Sequence, residues 1–231
     1  MAKKNEKRED EEKDEEEEDV PEERVPDVMS KAVKGNRLLV TRDVVLEGTA
    51  PIMFDRFPGD MDTQLKPDQK MYFFPDGSTL CIPALNISSF LSAENTPSAP
   101  KVLLDPRKYK RIARACLNYV SIMSYVVDRP DLIPLTRNGK PIKFGAFDGD
   151  ADKLSGAWIH CGKAMLLGGI PHPKARPVIP CPWALNFTLM LLPNNEVQET
   201  QIRWLFDEGG RAIGLGTFRG VFGKFKVTRW A

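Results

Sequence analysis

The C-terminal segment, residues 202–230, constrains the fold more than any other part of this 231-residue chain. Apolar residues at helical spacing predict a short amphipathic helix over 202–208. Gly209 and Gly210 are expected to end that helix, because paired glycines favour a turn. Residues 223–230 alternate basic and apolar side chains, which predicts a closing strand with one buried face. A helix, a glycine-rich loop and a strand in this order indicate the end of an α+β domain.

The glycine-rich loop between this helix and strand is a candidate anion-binding segment. Six glycines lie between 209 and 223, and basic residues are interspersed among them. Glycine lets a backbone approach a ligand closely and expose its N–H groups to an anion. The segment is therefore interpreted as a phosphate or nucleic-acid-backbone contact, although a sharp turn before an ordinary strand explains the same glycines. Its candidate contact residues are Arg211, Gly214, Gly216, Arg219 and Lys224.

Charge is divided unevenly along the chain, although the formal net charge is only +1. Residues 1–30 contain 14 Asp and Glu against 6 Lys and Arg, a net of −8, which leaves +9 for the remainder. The first 30 residues contain too few apolar side chains to offset the entropy of ordering. We predict a disordered acidic tail over 1–30 and a single basic α+β domain over 31–231.

A second basic segment lies at 106–120 and is predicted to be a helix. Asp105 can cap it, and Pro106 suits the first helical position. Its basic residues recur three and four positions apart, so the helix would present them on one side, either as a solvated face or as a binding face. The opposite side, which includes Ile112 and Cys116, is expected to face the core. The candidate binding residues of this helix are Arg107, Lys110, Arg111 and Arg114.

The remaining elements are predicted from alternation, turn residues and prolines. A Pro-Asp-Gly turn at 75–77 predicts a hairpin, and Asn138-Gly139 predicts a second one. Lys174 and Arg176 are assigned to a proline-rich loop, where they offer a further basic contact. The other predicted elements are strands at 37–47, 157–160 and 184–192, the last a buried central strand, and a helix at 83–91.

Several function classes find no support in the sequence. No signal peptide and no membrane-spanning apolar run is present, and the four isolated cysteines fit reduced, mostly buried thiols, so a cytoplasmic protein is expected. His160, Cys161 and His172 lack zinc-ligand spacing. Residues 148–152 begin like a calcium loop but lack its later ligands. No cofactor and no metal site is predicted.

Three motifs together resemble a known family. They are residues 48–57 (GTAPIMFDRF), the hairpin and helix from 72 to 90 (YFFPDG, then IPALNISSF), and residues 214–225 (GLGTFRGVFGKF). Their order is similar to that of uncharacterised phage and prophage proteins. The layout also resembles the RAMP superfamily, whose members form the backbone of CRISPR effector complexes.

This resemblance implies a ferredoxin-like (RAMP/RRM-like) antiparallel sheet, with helices on one face and loop insertions. It further implies binding of single-stranded nucleic acid by a phage or mobile-element protein, with copies assembling along the strand as a homo-oligomer or filament. The residues that the match carries over are Arg56, Arg211, Arg219 and Lys224.

From the residues, we expect a non-enzymatic protein whose basic groove follows phosphates, while exposed aromatics stack on bases. The candidates for stacking are Tyr109, Phe218 and Phe222. The acidic tail is expected to compete for the groove or to dock a basic partner. The alternatives are a phage assembly protein without nucleic-acid binding and, less favoured, a RAMP-type endoribonuclease that uses His160 or His172.

Overall fold

The protein is described by a computed structural model that covers residues 38–60, 63–92, 106–144, 157–165 and 171–231. Within these ranges only the backbone is described for 106–109, 164–165 and 171–172. The predicted tail, the helix cap Asp105 and the acidic segment 148–152 therefore lie outside the described residues.

Two antiparallel sheets are formed by the described residues. The larger sheet contains eight strands in the order β11-β1-β10-β6-β4-β3, with β5 pairing β10 and β7 pairing β6. Its strands are β1 (Val40–Gly48), β3 (Tyr72–Phe73), β4 (Leu80–Pro83), β5 (Val120–Ser124), β6 (Leu132–Arg137), β7 (Lys140–Pro141), β10 (Ala184–Leu191) and β11 (Phe225–Trp230). The smaller sheet has the order β2-β9-β8 and consists of β2 (Ile52–Met53), β8 (Trp158–Met165) and β9 (Pro171–Ile179).

Three helices accompany these strands in the described part of the chain: α1 (Ala84–Ser92), α2 (Pro106–Tyr119) and α3 (Glu199–Ala212). α1 contacts β5, α3 contacts β11, and α2 packs on α1. An aromatic cluster joins α1 and α3 to one face of the larger sheet, since Phe90 and Phe206 both contact Phe225, and Phe206 also contacts Phe187. The predicted α+β class with an antiparallel sheet is therefore confirmed.

Both hairpins that were predicted from turn residues are present. In the β3–β4 hairpin, Asp76 Oδ1 accepts the backbone N–H groups of Ser78 and Thr79 at 2.9 and 2.8 Å, and Gly77 has φ +67°. Between β6 and β7, Asn138 and Gly139 adopt φ +52° and +76°. Two consecutive positive φ angles match the right-handed twist of the flanking strands, which explains why Asn-Gly predicts this turn.

The prediction that Gly209 and Gly210 end the last helix is wrong, because α3 continues through both residues to Ala212. A Cβ atom on Gly209 would lie 2.5 Å from the Phe90 ring, and one on Gly210 would lie 2.5 Å from the Phe225 carbonyl oxygen. These glycines let α3 approach α1 and β11 closely. Both glycines are required for close packing, and a local sequence pattern does not distinguish such a glycine from one that ends a helix.

Lys174 and Arg176 lie in β9, and their assignment to a loop is also wrong. Prolines 171, 173 and 177 occupy alternate positions of β9, so their missing N–H groups all lie on the same edge of the strand. The carbonyl groups at these alternate positions point away from β8: the Ala175 carbonyl accepts a hydrogen bond from Lys70 Nζ at 2.7 Å, and the Pro177 carbonyl accepts one from the Phe54 N–H at 3.0 Å. Pairing with β8 is thereby compatible with all three prolines.

Two burial predictions need correction. β10 lies centrally between β1 and β5, but only alternate residues such as Phe187 and Leu189 are buried, because the second face is not covered by the helices. Of the cysteines, Cys81 and Cys116 are buried, whereas Cys161 and Cys181 are exposed.

Over the described ranges, none of the helices has both the length and the apolarity that a membrane crossing requires.

Candidate functional site

A cleft of about 760 Å³ separates the segment after β2 from the β8–β9 hairpin. Four of its lining residues are cationic and two are anionic, so the lining is net positive. Phe57 is an exposed residue of this lining. The charged lining residues are Arg56, Lys70, Lys163, Lys174, Asp55 and Asp60.

Asp55 neutralises part of this positive charge from a nearly buried position. Its Oδ2 accepts a hydrogen bond from Arg176 Nε at 2.8 Å and from Lys174 Nζ at 3.3 Å, and its Oδ1 lies 3.8 Å from Lys70 Nζ. Burial alone would raise the pKa of Asp55, but the hydrogen bond and charge of Arg176, with the charges of Lys174 and Lys70, lower it below 3.8. Asp55 is therefore ionised at neutral pH, and these four residues retain a net charge of +2.

Lys70 ties the segment before β3 to β9. Its Nζ donates a hydrogen bond to the Ala175 carbonyl and lies near Asp55. Burial lowers the pKa of Lys70, Asp55 opposes that shift, and the positive charges of Lys174 and Arg176 reinforce it. Both walls of the cleft are thus held together by polar contacts at its base, while Arg56 and Lys163 remain exposed at its rim.

A cluster of three aromatic rings lies on the β8–β9 hairpin. The His160 ring centroid is 5.7 Å from that of Phe222 and 6.3 Å from that of Phe218, and the two phenyl centroids are 6.1 Å apart. Phe218 is 56% exposed, whereas His160 and Phe222 are half-buried. The cluster joins β8 to the glycine-rich loop, so part of the predicted C-terminal site lies beside this hairpin.

The strand register places this aromatic cluster beside the cationic residues. His160 is paired with Arg176, and Gly162 with Lys174. Because side chains alternate across a strand, these four positions share one face of the hairpin. Directly opposite residues in an antiparallel pair have Cβ atoms about 5 Å apart. Aromatic and cationic side chains are therefore immediate neighbours on this face.

The glycines of the C-terminal loop pack the backbone against neighbouring segments. The Gly214 N–H donates to the Gly209 carbonyl at 2.9 Å. A Cβ atom on Gly216 would lie 2.4 Å from the Met53 carbonyl oxygen, which also accepts the Thr217 N–H. The Gly223 N–H donates to Pro51. Close backbone packing, onto β2 at Gly216 and within the C-terminal segment at Gly214 and Gly223, accounts for these glycines, while their predicted contact with phosphate stays a prediction.

The other predicted basic residues lie on different elements from the cleft. Lys110, Arg111 and Arg114 are exposed on α2, opposite the buried Ile112 and Cys116 as predicted. Arg211 forms an ion pair with Glu208 near the end of α3. Arg219 and Lys224 lie in the glycine-rich loop. The side chains of Arg107, Tyr109 and His172 lie outside the described atoms, although their backbones lie in α2 and β9.

The face of the larger sheet that the helices leave uncovered is electrically balanced. Arg229 lies 3.5 Å from Asp43, Lys226 lies 3.2 Å from Glu47, and the Tyr125 hydroxyl donates to Asp43 at 2.6 Å. An anionic ligand would have to compete with these carboxylates. The net positive charge of the cleft makes it the stronger candidate for an anion.

Sequence reasoning identified Arg56, Lys174 and Arg176, which the structure brings together from segments more than 100 residues apart. It missed Lys70 and Lys163, because single lysines without a periodic pattern carry no local signal.

In the described ranges, no group of three or more His, Cys, Asp or Glu residues is positioned to hold a metal ion. No protein-family model and no curated protein matches the chain.

Proposed function

We propose that this protein binds single-stranded nucleic acid without catalysing a reaction, and that the cleft is its phosphate-binding site. The observation that carries the proposal is the convergence of Arg56, Lys163 and Lys174 on one cleft whose internal carboxylate is already neutralised. Cationic grooves that follow a phosphate backbone, with aromatic side chains nearby, are the recurring design of single-strand binders. The exposed basic side of α2 offers further phosphate contacts.

The chain order of the principal elements supports a ferredoxin-like core of the RAMP type. β1, β5, β10 and β11 are arranged as β11-β1-β10-β5, with α1 and α2 between β1 and β5 and α3 between β10 and β11. A β-α-β-β-α-β order of this kind defines the ferredoxin-like motif. The smaller sheet and the cleft are then insertions into that core, as the resemblance implies.

The phosphate-binding role is tested by reversing charge at Lys163 and measuring fluorescence anisotropy with labelled single-stranded DNA, single-stranded RNA and duplex at several salt concentrations. Lys163 is exposed at the rim, so Lys163→Glu should weaken binding without unfolding the protein. Each phosphate contact on a single strand contributes about 0.7 to the slope of log affinity against log salt, and the variant should lose roughly that amount.

Lys140→Glu is the matched control, because Lys140 is an exposed lysine on β7, outside the cleft lining. It should bind like the wild type with an unchanged salt slope. Equal losses in the two variants would show that general charge, rather than the cleft, governs binding. Absence of salt-sensitive binding to every nucleic acid would refute the function and favour the assembly protein that the sequence left as an alternative.

A further inference from the structure

Phe218 exposes a large apolar side chain at a backbone conformation that phenylalanine rarely adopts. Of the described residues other than glycine, only Asn138 and Phe218 have positive φ angles, both +52°. Asn138 occupies a hairpin turn that favours asparagine, whereas an aromatic residue at positive φ is a genuine outlier. The residue is 56% exposed, so burial does not compensate for this conformation. Such outliers are typical of functional sites.

The turn around Phe218 places its ring next to two others. The Phe222 N–H donates to the Phe218 carbonyl at 3.3 Å, and the Gly220 N–H donates to Ile213 at 2.7 Å, which closes the loop. The Phe218 ring is thereby held beside Phe222 and over the hairpin at His160. A Cβ atom on Gly162 would lie only 3.1 Å from His160 Nε2, so the glycine leaves room for the imidazole along the strand.

The distance from this aromatic cluster to the lining of the cleft is short. Gly162, which is paired with Lys174, lies two positions from His160 on the same face of β8, and this separation corresponds to about 7 Å at the rise of an antiparallel strand. His160 also lies opposite Arg176, which holds Asp55 beside Lys174. A bound strand therefore meets cationic groups and aromatic rings within a few nucleotides.

We propose that Phe218, Phe222 and His160 form a base-stacking site that selects unpaired over paired strands; this inference rests on the proposed function of the cleft. The flat faces of unpaired bases are free to stack on these rings, with Phe218 as the most exposed contact. In a duplex those faces are already covered by neighbouring base pairs. Phosphate contacts serve both forms, so the rings supply the difference in affinity between them.

The test compares Phe218→Leu, Phe218→Tyr and Val221→Ser by anisotropy with single strands and with duplex of equal length. Phe218→Leu keeps an apolar side chain but removes the ring, so single-strand affinity should fall by about 5- to 100-fold. Duplex affinity and the salt slope should not change, because phosphate contacts remain. Phe218→Tyr should bind like the wild type. Val221 is an exposed apolar residue of the same loop, and Val221→Ser should also bind normally.

Phe218→Gly separates binding from folding. Glycine adopts a φ of +52° without steric cost, so this variant should melt near the wild-type temperature while losing single-strand affinity like Phe218→Leu. Two results would overturn the stacking site while leaving the cleft as the phosphate-binding site, provided that the wild type binds nucleic acid. One is a Phe218→Leu variant that binds single strands as tightly as the wild type, and the other is a Phe218→Leu variant that loses equal affinity for single strands and for duplex. Absence of nucleic-acid binding by the wild type would instead overturn the proposed function itself.

Discussion

At Asp55 the chain keeps an acidic side chain inside a basic surface, and its contacts explain why. The Asp55 side chain is only 13% exposed and forms an ion pair with Arg176, whose side chain is 10% exposed. Lys70 and Lys174 also lie within 4 Å of the carboxylate. Three cations this close repel one another unless a counter-charge lies between them. Asp55 therefore stabilises the arrangement of the cleft and leaves the exposed cations at its rim available to the anionic ligand that we propose.

Asp55→Asn should lower the free energy of unfolding by about 2 kcal/mol near neutral pH, because a hydrogen bond to an ionised group is lost. The folded-state pKa of Asp55 lies below 3.8, so its contribution is complete above that pH and disappears as the pH falls through the folded value. The two proteins should therefore converge in stability at low pH. Urea denaturation over a range of pH measures this.

Asp128→Asn serves as the control for this substitution, since Asp128 is an exposed residue in the turn after β5. It should change the unfolding free energy little at any pH. A difference between wild type and Asp55→Asn that persists undiminished at low pH would contradict the assignment of this stability to an ionised carboxylate.

Charge made Lys174 and Arg176 candidates in the sequence, and the resemblance to a known family added Arg56, but their grouping was not predictable. It depends on the pairing of β9 with β2 and β8, which joins residues distant in the chain. The sequence likewise gives no reason for an acidic residue next to Arg56, whereas the structure shows that Asp55 balances the charge of three cationic neighbours. Composition indicates which residues are cationic, and only tertiary structure indicates which of them remain available to a ligand.

Among structural elements, the glycine-rich loop after α3 is the one whose role was predicted least well from the local sequence. Its glycines were interpreted as a ligand-binding backbone, yet Gly214 and Gly216 have positive φ angles and lie against other backbone atoms. The hairpins at Asp76 and Asn138 were predicted because turn chemistry is local to a few residues. Packing across the core depends on distant partners, which a short sequence window does not contain.

Gly223→Ala should destabilise the protein far more than Gly220→Ala, because only the first combines backbone strain with a steric clash. Both glycines have positive φ, +72° and +92°. A Cβ atom on Gly223 would lie 1.8 Å from the Leu215 carbonyl oxygen, whereas nothing lies within 4 Å at Gly220. Strain alone costs about 1–2 kcal/mol, and displacement of the backbone adds about 1–3 kcal/mol at Gly223.

Urea denaturation of both variants isolates the second contribution, since Gly220→Ala carries the conformational strain without the clash. Equal losses of stability in the two variants would mean that the packing of this loop onto Leu215 is not required for folding. A larger loss at Gly223 identifies the loop as part of the folded core.

At the scale of the whole molecule, the chain separates negative from positive charge. Residues 1–30 carry a net charge of −8 and the remainder +9. If the acidic segment competes with nucleic acid for the cleft, deletion of residues 1–30 should tighten single-strand binding at low salt. The two proteins should converge at high salt, where screening weakens both the competition and the phosphate contacts.

A full-length variant in which the acids of residues 1–30 are replaced by Gln and Asn provides the matched control for chain length. It should bind as tightly as the deletion, because charge rather than length causes the competition. Unchanged affinity at low salt in both variants would dismiss competition within the chain and leave docking to a basic partner as the role of this segment.

The two sheets divide the molecule into a part that holds the fold and a part that can vary. β2 and the end of β9 join the core through Ile52 and Ile179, whereas Lys163 lies exposed near the far end of the hairpin. Exposed side chains such as Lys163 can be exchanged with little loss of folding stability. Under the function that we propose, substitutions there can change which ligand the cleft prefers while the eight-stranded scaffold is inherited unchanged.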